Sequence, residues 1–174
     1  MPILINATVL SNFAAVERVE LLHVLWETLY LAYSVYEEVQ VGLEEGYGFL
    51  ASIEAHVFPL HFHGWLRLVT LEGEEETALF ESIPAKLHRG EATSLAIAAH
   101  RGWRFLTDDR AARRHAERMG VSVAGTLGVL ARLVRQGTLT LVEANDLLGQ
   151  MIVQAEYRSP TTDLRSLAAE MEEE

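Results

Sequence analysis

The sequence predicts an α/β protein, a three-layer α/β/α sandwich around a short central parallel sheet. Two observations carry that prediction. Short apolar runs rich in Ile, Leu and Val alternate with longer segments of helical spacing, and polar residues follow directly on several of those runs. Strands separated by helices pair in parallel and are covered on both faces. Open sheets of this kind collect chemistry at the carboxyl ends of their strands. A chain of 174 residues, 49% hydrophobic, can bury the core such a sandwich needs.

The elements follow in order. "ILI" (3–5) reads as a buried strand that stops at Asn6, with Thr8, Ser11 and Asn12 close behind it. "VELLHVLW" (19–26) and "SVYEEVQVGL" (34–43) carry helical spacing, and "LYLAY" (29–33) between them reads as a strand. "GFLASIEAHVF" (48–58) reads as a helix ending before Pro59. "WLRLVTL" (65–71) is the clearest strand by alternation and β-branching, and "EGEEETALFESI" then opens a helix with early acids. In "GEATSLAIAAHRG" (90–102), Ala92, Leu95, Ala96 and Ala99 fall at i, i+3, i+4 and i+7, and Gly102 closes the helix. "WRFLT" (103–107) is a strand, "DDRAARRHAERMG" a helix with an Asp start and a Gly stop, and "VSV" (121–123) a last strand. The helices "TLGVLARLVRQG" and "LVEANDLLGQMI" complete a domain over residues 1–155, and residues 156–174 read as an extension whose end, "AAEMEEE", frays.

Composition excludes several classes of function. No apolar run reaches the roughly 18 residues that span a bilayer, so no membrane association is expected. The N-terminus lacks the basic and apolar regions of a secretory signal. With no cysteine, disulfides and thiolate metal sites are impossible, which suits a cytoplasmic location. A formal charge of −11 opposes broad nonspecific binding to nucleic acid. Locally the balance reverses. From Lys86 to Arg118 there are Lys or Arg residues at 86, 89, 101, 104, 110, 113, 114 and 118, against acids at 91, 108, 109 and 117. A polyanion would be met there.

The candidate chemistry lies in Asn6, Glu38, Glu91 and the pair Asp108/Asp109. Each has an ordinary reading as a turn, a cap or a solvated charge. Yet Glu91 lies four residues before Leu95 and Glu38 three after Val35, so both sit at the edges of buried stripes. Carboxylates near strand ends converge on one cleft, where two charges about 4 Å apart repel by roughly 4 kcal/mol at an effective dielectric of 20. Such a cluster needs a cation, a shared proton or a neutral member, and hard Mg²⁺ or Mn²⁺ prefers oxygen ligands.

"VYEEV", "GEATSLAIAAHRG", "RFLTDD" and "VAGTLGVLARLVRQGTL", in that order after an apolar strand ending in a polar residue, resemble the PIN domain family. More narrowly they resemble its DUF3368 branch, akin to the VapC toxins of toxin–antitoxin pairs. The resemblance implies Mg²⁺- or Mn²⁺-dependent ribonuclease activity from a quartet of acids. The second matches Glu38, the third Glu91, and the fourth Asp109, with Asp108 a close second. Thr107 and Thr8 match supporting polar positions, and the first acid is replaced by Asn6. An amide oxygen can ligate a hard cation but brings no charge, which lowers repulsion and weakens metal binding together. The resemblance also implies an RNA substrate, an antitoxin partner and a homodimer.

Other features have competing readings. Arg110, Arg113 and Arg114 lie just beyond the acids, where an RNA backbone would pass, or else form a solvated helix face. His56, His61 and His63 have a spacing that can bind Zn²⁺, though a surface loop or edge segment accounts for them more simply. The apolar helices near residues 19–26 and 48–58 either pack a partner or fill the chain's own core. Two functions compete: a metal-dependent ribonuclease, and a PIN-fold module that binds RNA or protein but has lost turnover through Asn6. A nucleotide-binding α/β domain is disfavoured, because no Gly-rich phosphate loop follows the first strand.

Overall fold

A computed structural model describes residues 1–170. Six parallel strands form one sheet in the order β3-β4-β2-β1-β5-β6. They are β1 (Ile3–Ile5), β2 (Leu29–Ala32), β3 (Val57–Phe58), β4 (Leu66–Val69), β5 (Arg104–Leu106) and β6 (Val123–Ala124). Helices flank the sheet, giving the expected α/β/α sandwich.

Among the described residues the α-helices are α1 (Ala7–Ala15), α2 (Glu20–Leu25), α3 (Tyr33–Glu44), α4 (Ala51–Glu54), α5 (Gly73–Ser82), α6 (Arg89–Arg101), α7 (Arg110–Arg118), α8 (Thr126–Arg135), α9 (Leu141–Gln154) and α10 (Arg165–Glu170). β1 is central because all three of its residues are apolar and buried on both faces. The chain leaves β1 toward β2 and later returns to pair β5 on its other side. That reversal opens a crevice at the carboxyl ends of β1 and β5, the place where open α/β sheets take their ligands.

Two sequence expectations need correction. Residues 48–58 do not form one helix. A short 3₁₀ turn (Gly48–Leu50) runs into the single turn of α4, and Val57 and Phe58 then pair with β4 at the sheet edge. The residue before a proline avoids the helical region, and here the chain takes up strand pairing instead. The last strand lies one to two residues later than "VSV", because Phe105 and Leu106 align with Val123 and Ala124. His61 and His63 sit in an exposed loop, the simpler of their two readings, and His56 packs against the Trp65 ring. Among the described residues no Zn²⁺-like grouping of histidines occurs.

Two expectations extend further than the spacing indicated. α6 is buried from Gly90 through Ala98, on all sides, because α3, α5 and α7 surround it and the sheet lies beneath. Small residues such as Ala92, Ser94, Ala96 and Ala98 permit that close approach, and Gly102 ends the helix at φ 65°. The early apolar helices use Leu21, Leu22, Leu50 and Ile53 in the chain's own core. The segment after α9 returns onto the domain, with Leu164 fully buried and α10 against α8. The expected fraying concerns residues that lie partly beyond 170, outside the described residues.

Candidate active site

The crevice is built one residue past the sheet ladder. The Asn6 N–H donates to Leu106 O (2.9 Å) and the Thr107 N–H to Ala124 O (2.9 Å), so both residues continue the strand pairing without belonging to it. The register Ile5 to Leu106 places Asn6 beside Thr107. Asn6 Nδ2 donates to Thr107 Oγ1 at 3.2 Å, and the same hydroxyl accepts the Asp109 N–H at 3.2 Å. Thr107 is fully buried and Asn6 is 1% exposed. With its amide nitrogen committed to Thr107, Asn6 leaves Oδ1 buried without a hydrogen-bond partner. A buried orphan acceptor costs about 1–3 kcal/mol unless something satisfies it.

The three carboxylates predicted to act with Asn6 are in the same half-satisfied condition. Glu38, on the α3 face toward α6, accepts the Gly90 N–H at Oε1 (3.1 Å). Glu91 accepts the His88 N–H at Oε2 (3.1 Å), which caps the start of α6. Asp109 is the N-cap of α7, accepting the Ala112 N–H at Oδ1 (2.7 Å). Each is pinned at one oxygen by a backbone amide, and the other oxygen has no protein donor among the described residues.

Burial raises the Glu38 pKa above the ordinary carboxylate range. Glu91 is raised first by burial, then by the negative charges of Asp109 and Glu38. Glu91 therefore senses both Asp109 and Glu38, and a cation beside it would relieve that repulsion. Among the described residues no three Asp, Glu or His side chains form a closed ligand set. The donors that Asn6, Glu38, Glu91 and Asp109 offer are all oxygens and one of them is an amide, the donor chemistry that a hard divalent cation prefers.

Asp108 stands apart from this group. Its Oδ1 accepts the Thr126 N–H (2.8 Å) and its Oδ2 the Thr126 hydroxyl (2.6 Å) and Asn12 Nδ2 (3.1 Å). Tyr157 OH reaches Oδ1 at 3.4 Å. Burial still pushes the Asp108 pKa up, against the Thr126 hydrogen bonds that pull it down. Saturated in this way, Asp108 ties β5 to α1 and α8, while Asp109 faces Glu91. Thr8 accepts the Asp108 N–H at 3.2 Å and so steadies the same corner. Arg113 Nη1 donates to Thr107 O (3.1 Å), and Arg110 and Arg114 are exposed on α7.

A family model described as a PIN domain, DUF3368, matches residues 2–173. The chain belongs to the PIN domain family. No curated protein matches it. The PIN domain is a nuclease-type fold whose members generally use divalent metals and bind nucleic acid. No helix among the described residues is long and apolar enough to cross a membrane.

Several residues of this PIN domain's corner escaped sequence reasoning. Gly90 and Gly125 are read there only as parts of motifs. A Cβ at Gly90 would collide with the Glu38 carboxylate, and one at Gly125 would lie 2.5 Å from Asp108 Oδ1 and 2.9 Å from Arg113 Nη1. Asn12 and Thr126 carry no periodic signal, since their role arises from a contact spanning 114 residues. Tyr157 lies beyond the matched motifs altogether.

Proposed function

We propose that this PIN domain is a divalent-metal-dependent ribonuclease of the VapC toxin type. The observation that carries the reading is the buried, orphaned Asn6 Oδ1 at the strand end, with Glu38, Glu91 and Asp109 each bonded at one oxygen only among the described residues. Those four residues would hold Mg²⁺ or Mn²⁺. A bound ion of that kind supplies Lewis acidity, lowering the pKa of a water and offsetting charge that builds on a phosphate.

The chain's own residues do the positioning. The amides of Gly90, His88 and Ala112 each hold one oxygen of a carboxylate, which leaves the other oxygen of each to turn toward an ion. Thr107 orients Asn6 and the Asp109 backbone through a single hydroxyl. Arg110, Arg113 and Arg114 flank the acids on α7 and would take the phosphates of the strand. The toxin reading brings with it a cytoplasmic location, a homodimer and an antitoxin encoded beside it, tested by co-purification of the two gene products and by sedimentation.

Incubating the purified protein with RNA and Mn²⁺, beside Glu91→Gln, tests the activity. Cleavage by the natural protein alone supports it, and equal behaviour of the two proteins would sink it. Asn6 favours one second reading, a module that binds RNA or protein without turnover, because the amide contributes no charge to the ion. Activity that appears only in Asn6→Asp would assign the natural protein to that class.

A further inference from the structure

A cavity of about 470 Å³ lies next to the acid corner, bounded by α7, the turn from β6 into α8, and the segment following α9. Its size falls in the range of small-ligand sites, about 300–1,000 Å³. Arg110, Arg113 and Arg158 line it, together with Tyr157 and Leu127. Among the described residues none of the three guanidinium groups is ion-paired. Among the described residues the one acid on the wall is Asp108, which already accepts from Thr126, Asn12 and Tyr157. Arg113 donates to Thr107 O and stands beside Asp108, so the charge that the cavity presents beside the aromatic ring is that of Arg110 and Arg158.

A second cavity, about 420 Å³, lies on the other side of Tyr157 and Arg158 and reaches Asp109 and Thr8. Tyr157, Arg158 and Asp108 are walls of both. Glu156 turns the chain here in a left-handed conformation, φ 53°, rare for a residue with a side chain. That turn directs Tyr157 back onto Asp108. The close approach of Gly125 to Asp108 and Arg113 holds the opposite wall.

We propose that the larger cavity seats one nucleotide of the RNA strand next to the acid corner, its phosphate against Arg110 and Arg158 and its base against the Tyr157 ring. The inference rests on the ribonuclease reading for the direction of the strand, but it concerns binding and not turnover. The α7 arginines alone would describe a basic surface. Arg158 and Tyr157, from a segment more than forty residues later, convert that surface into a half-open cleft for a base with its phosphate.

Fluorescence anisotropy with a short single-stranded oligoribonucleotide, in EDTA and over a range of salt, tests the site without cleavage. Arg158 is exposed and makes no hydrogen bond among the described residues, so Arg158→Gln should leave the fold intact. It is expected to weaken binding several-fold and to lower the salt slope by about one. Tyr157→Phe keeps the ring and should bind as the natural protein does, whereas Tyr157→Ala should weaken binding about tenfold. Unchanged affinity and salt slope in Arg158→Gln and Tyr157→Ala overturns the proposal, as does tighter binding of free adenosine monophosphate than of the oligomer. RNA binding that depends on Arg158 and Tyr157, in a protein that never cleaves, sinks the ribonuclease reading and leaves the nucleotide site standing.

Discussion

The Gly90 N–H donates to Glu38 Oε1 at 3.1 Å, joining residues 52 apart in sequence across the α3–α6 contact. Gly90 has no side chain for a reason visible in that contact: a Cβ would collide with the Glu38 carboxylate and lie 2.9 Å from Val35 Cγ2. The glycine thus lets one helix start abut the other helix at the position where a carboxylate is needed.

Gly90→Ala is accordingly expected to destabilise the protein. Alanine gains about 1 kcal/mol in helix propensity over glycine, but overpacking a buried contact costs about 1–3 kcal/mol. Because the colliding group is the Glu38 carboxylate, that side chain must rotate away. Chemical denaturation with and without Mn²⁺ checks both effects. Lower stability together with a smaller Mn²⁺-induced gain is expected, and a more stable variant with an undiminished gain would show that the close approach is dispensable.

The raised pKa values of Glu38 and Glu91 give a signed pH dependence. Groups whose folded pKa lies above the unfolded value bind more protons in the native state, so stability falls as pH rises from about the ordinary glutamate value of 4.5. Glu76, held low by Arg101 against its own burial, contributes the opposite slope. Comparing the natural protein with Glu91→Gln isolates the acid corner. Without divalent cations the variant should gain in melting temperature relative to the natural protein as pH climbs from 4.5 to neutrality. Added Mn²⁺ should stabilise the natural protein and reverse the order. A melting difference that is flat with pH and indifferent to Mn²⁺ would show that Glu91 is only a helix cap.

Much of this arrangement was legible in the sequence, and the parts that were not share a cause. The strands at 3–5, 29–33 and 103–107 announce themselves through uninterrupted apolar runs, and α6 through its spacing and its closing Gly102. Glu91 and Asp109 sit where helix-start chemistry places acids in any event, so their candidacy came from position and from the family resemblance together. The short 3₁₀ turn and β3 were missed because their identity depends on β4 lying alongside, which residues 48–58 do not encode locally. Asp108 and Asp109 are adjacent and identical in type. Only the arrival of Thr126 and Asn12 from elsewhere in the chain separates their roles.

That separation is testable with two conservative substitutions. Asp109→Asn retains a good N-cap acceptor for Ala112 and removes a charge, so stability should change by under about 1 kcal/mol while the Mn²⁺ response is lost. Asp108→Asn replaces an acceptor-only group serving Thr126, Asn12 and Tyr157 by one that carries two donors, setting N–H against donors already in place. A loss of about 2–3 kcal/mol is expected, unrelieved by Mn²⁺. Thermal melts of both variants with and without the cation decide the matter, and the reverse pattern would exchange the two residues' roles.

Asn6 offers the sharpest contrast between stability and cation binding. It is 1% exposed, and Asn6→Asp would bury a fourth negative charge beside Glu38, Glu91 and Asp109 while removing the donor to Thr107 Oγ1. The Thr107 hydroxyl can rotate to donate in its place, so the hydrogen bond is recoverable and the charge is the main change. Without divalent cations the variant should be less stable by about 2–4 kcal/mol at neutral pH, and that deficit should shrink below about pH 5 as the new carboxyl is protonated. With Mn²⁺ it should recover more stability than the natural protein gains, because four ligands now include four charges. Calorimetric titration of Mn²⁺ into both proteins checks the prediction directly. Tighter binding in the variant would identify the natural amide as a deliberate weakening of the site, whereas equal binding would place the orphaned Asn6 oxygen outside it.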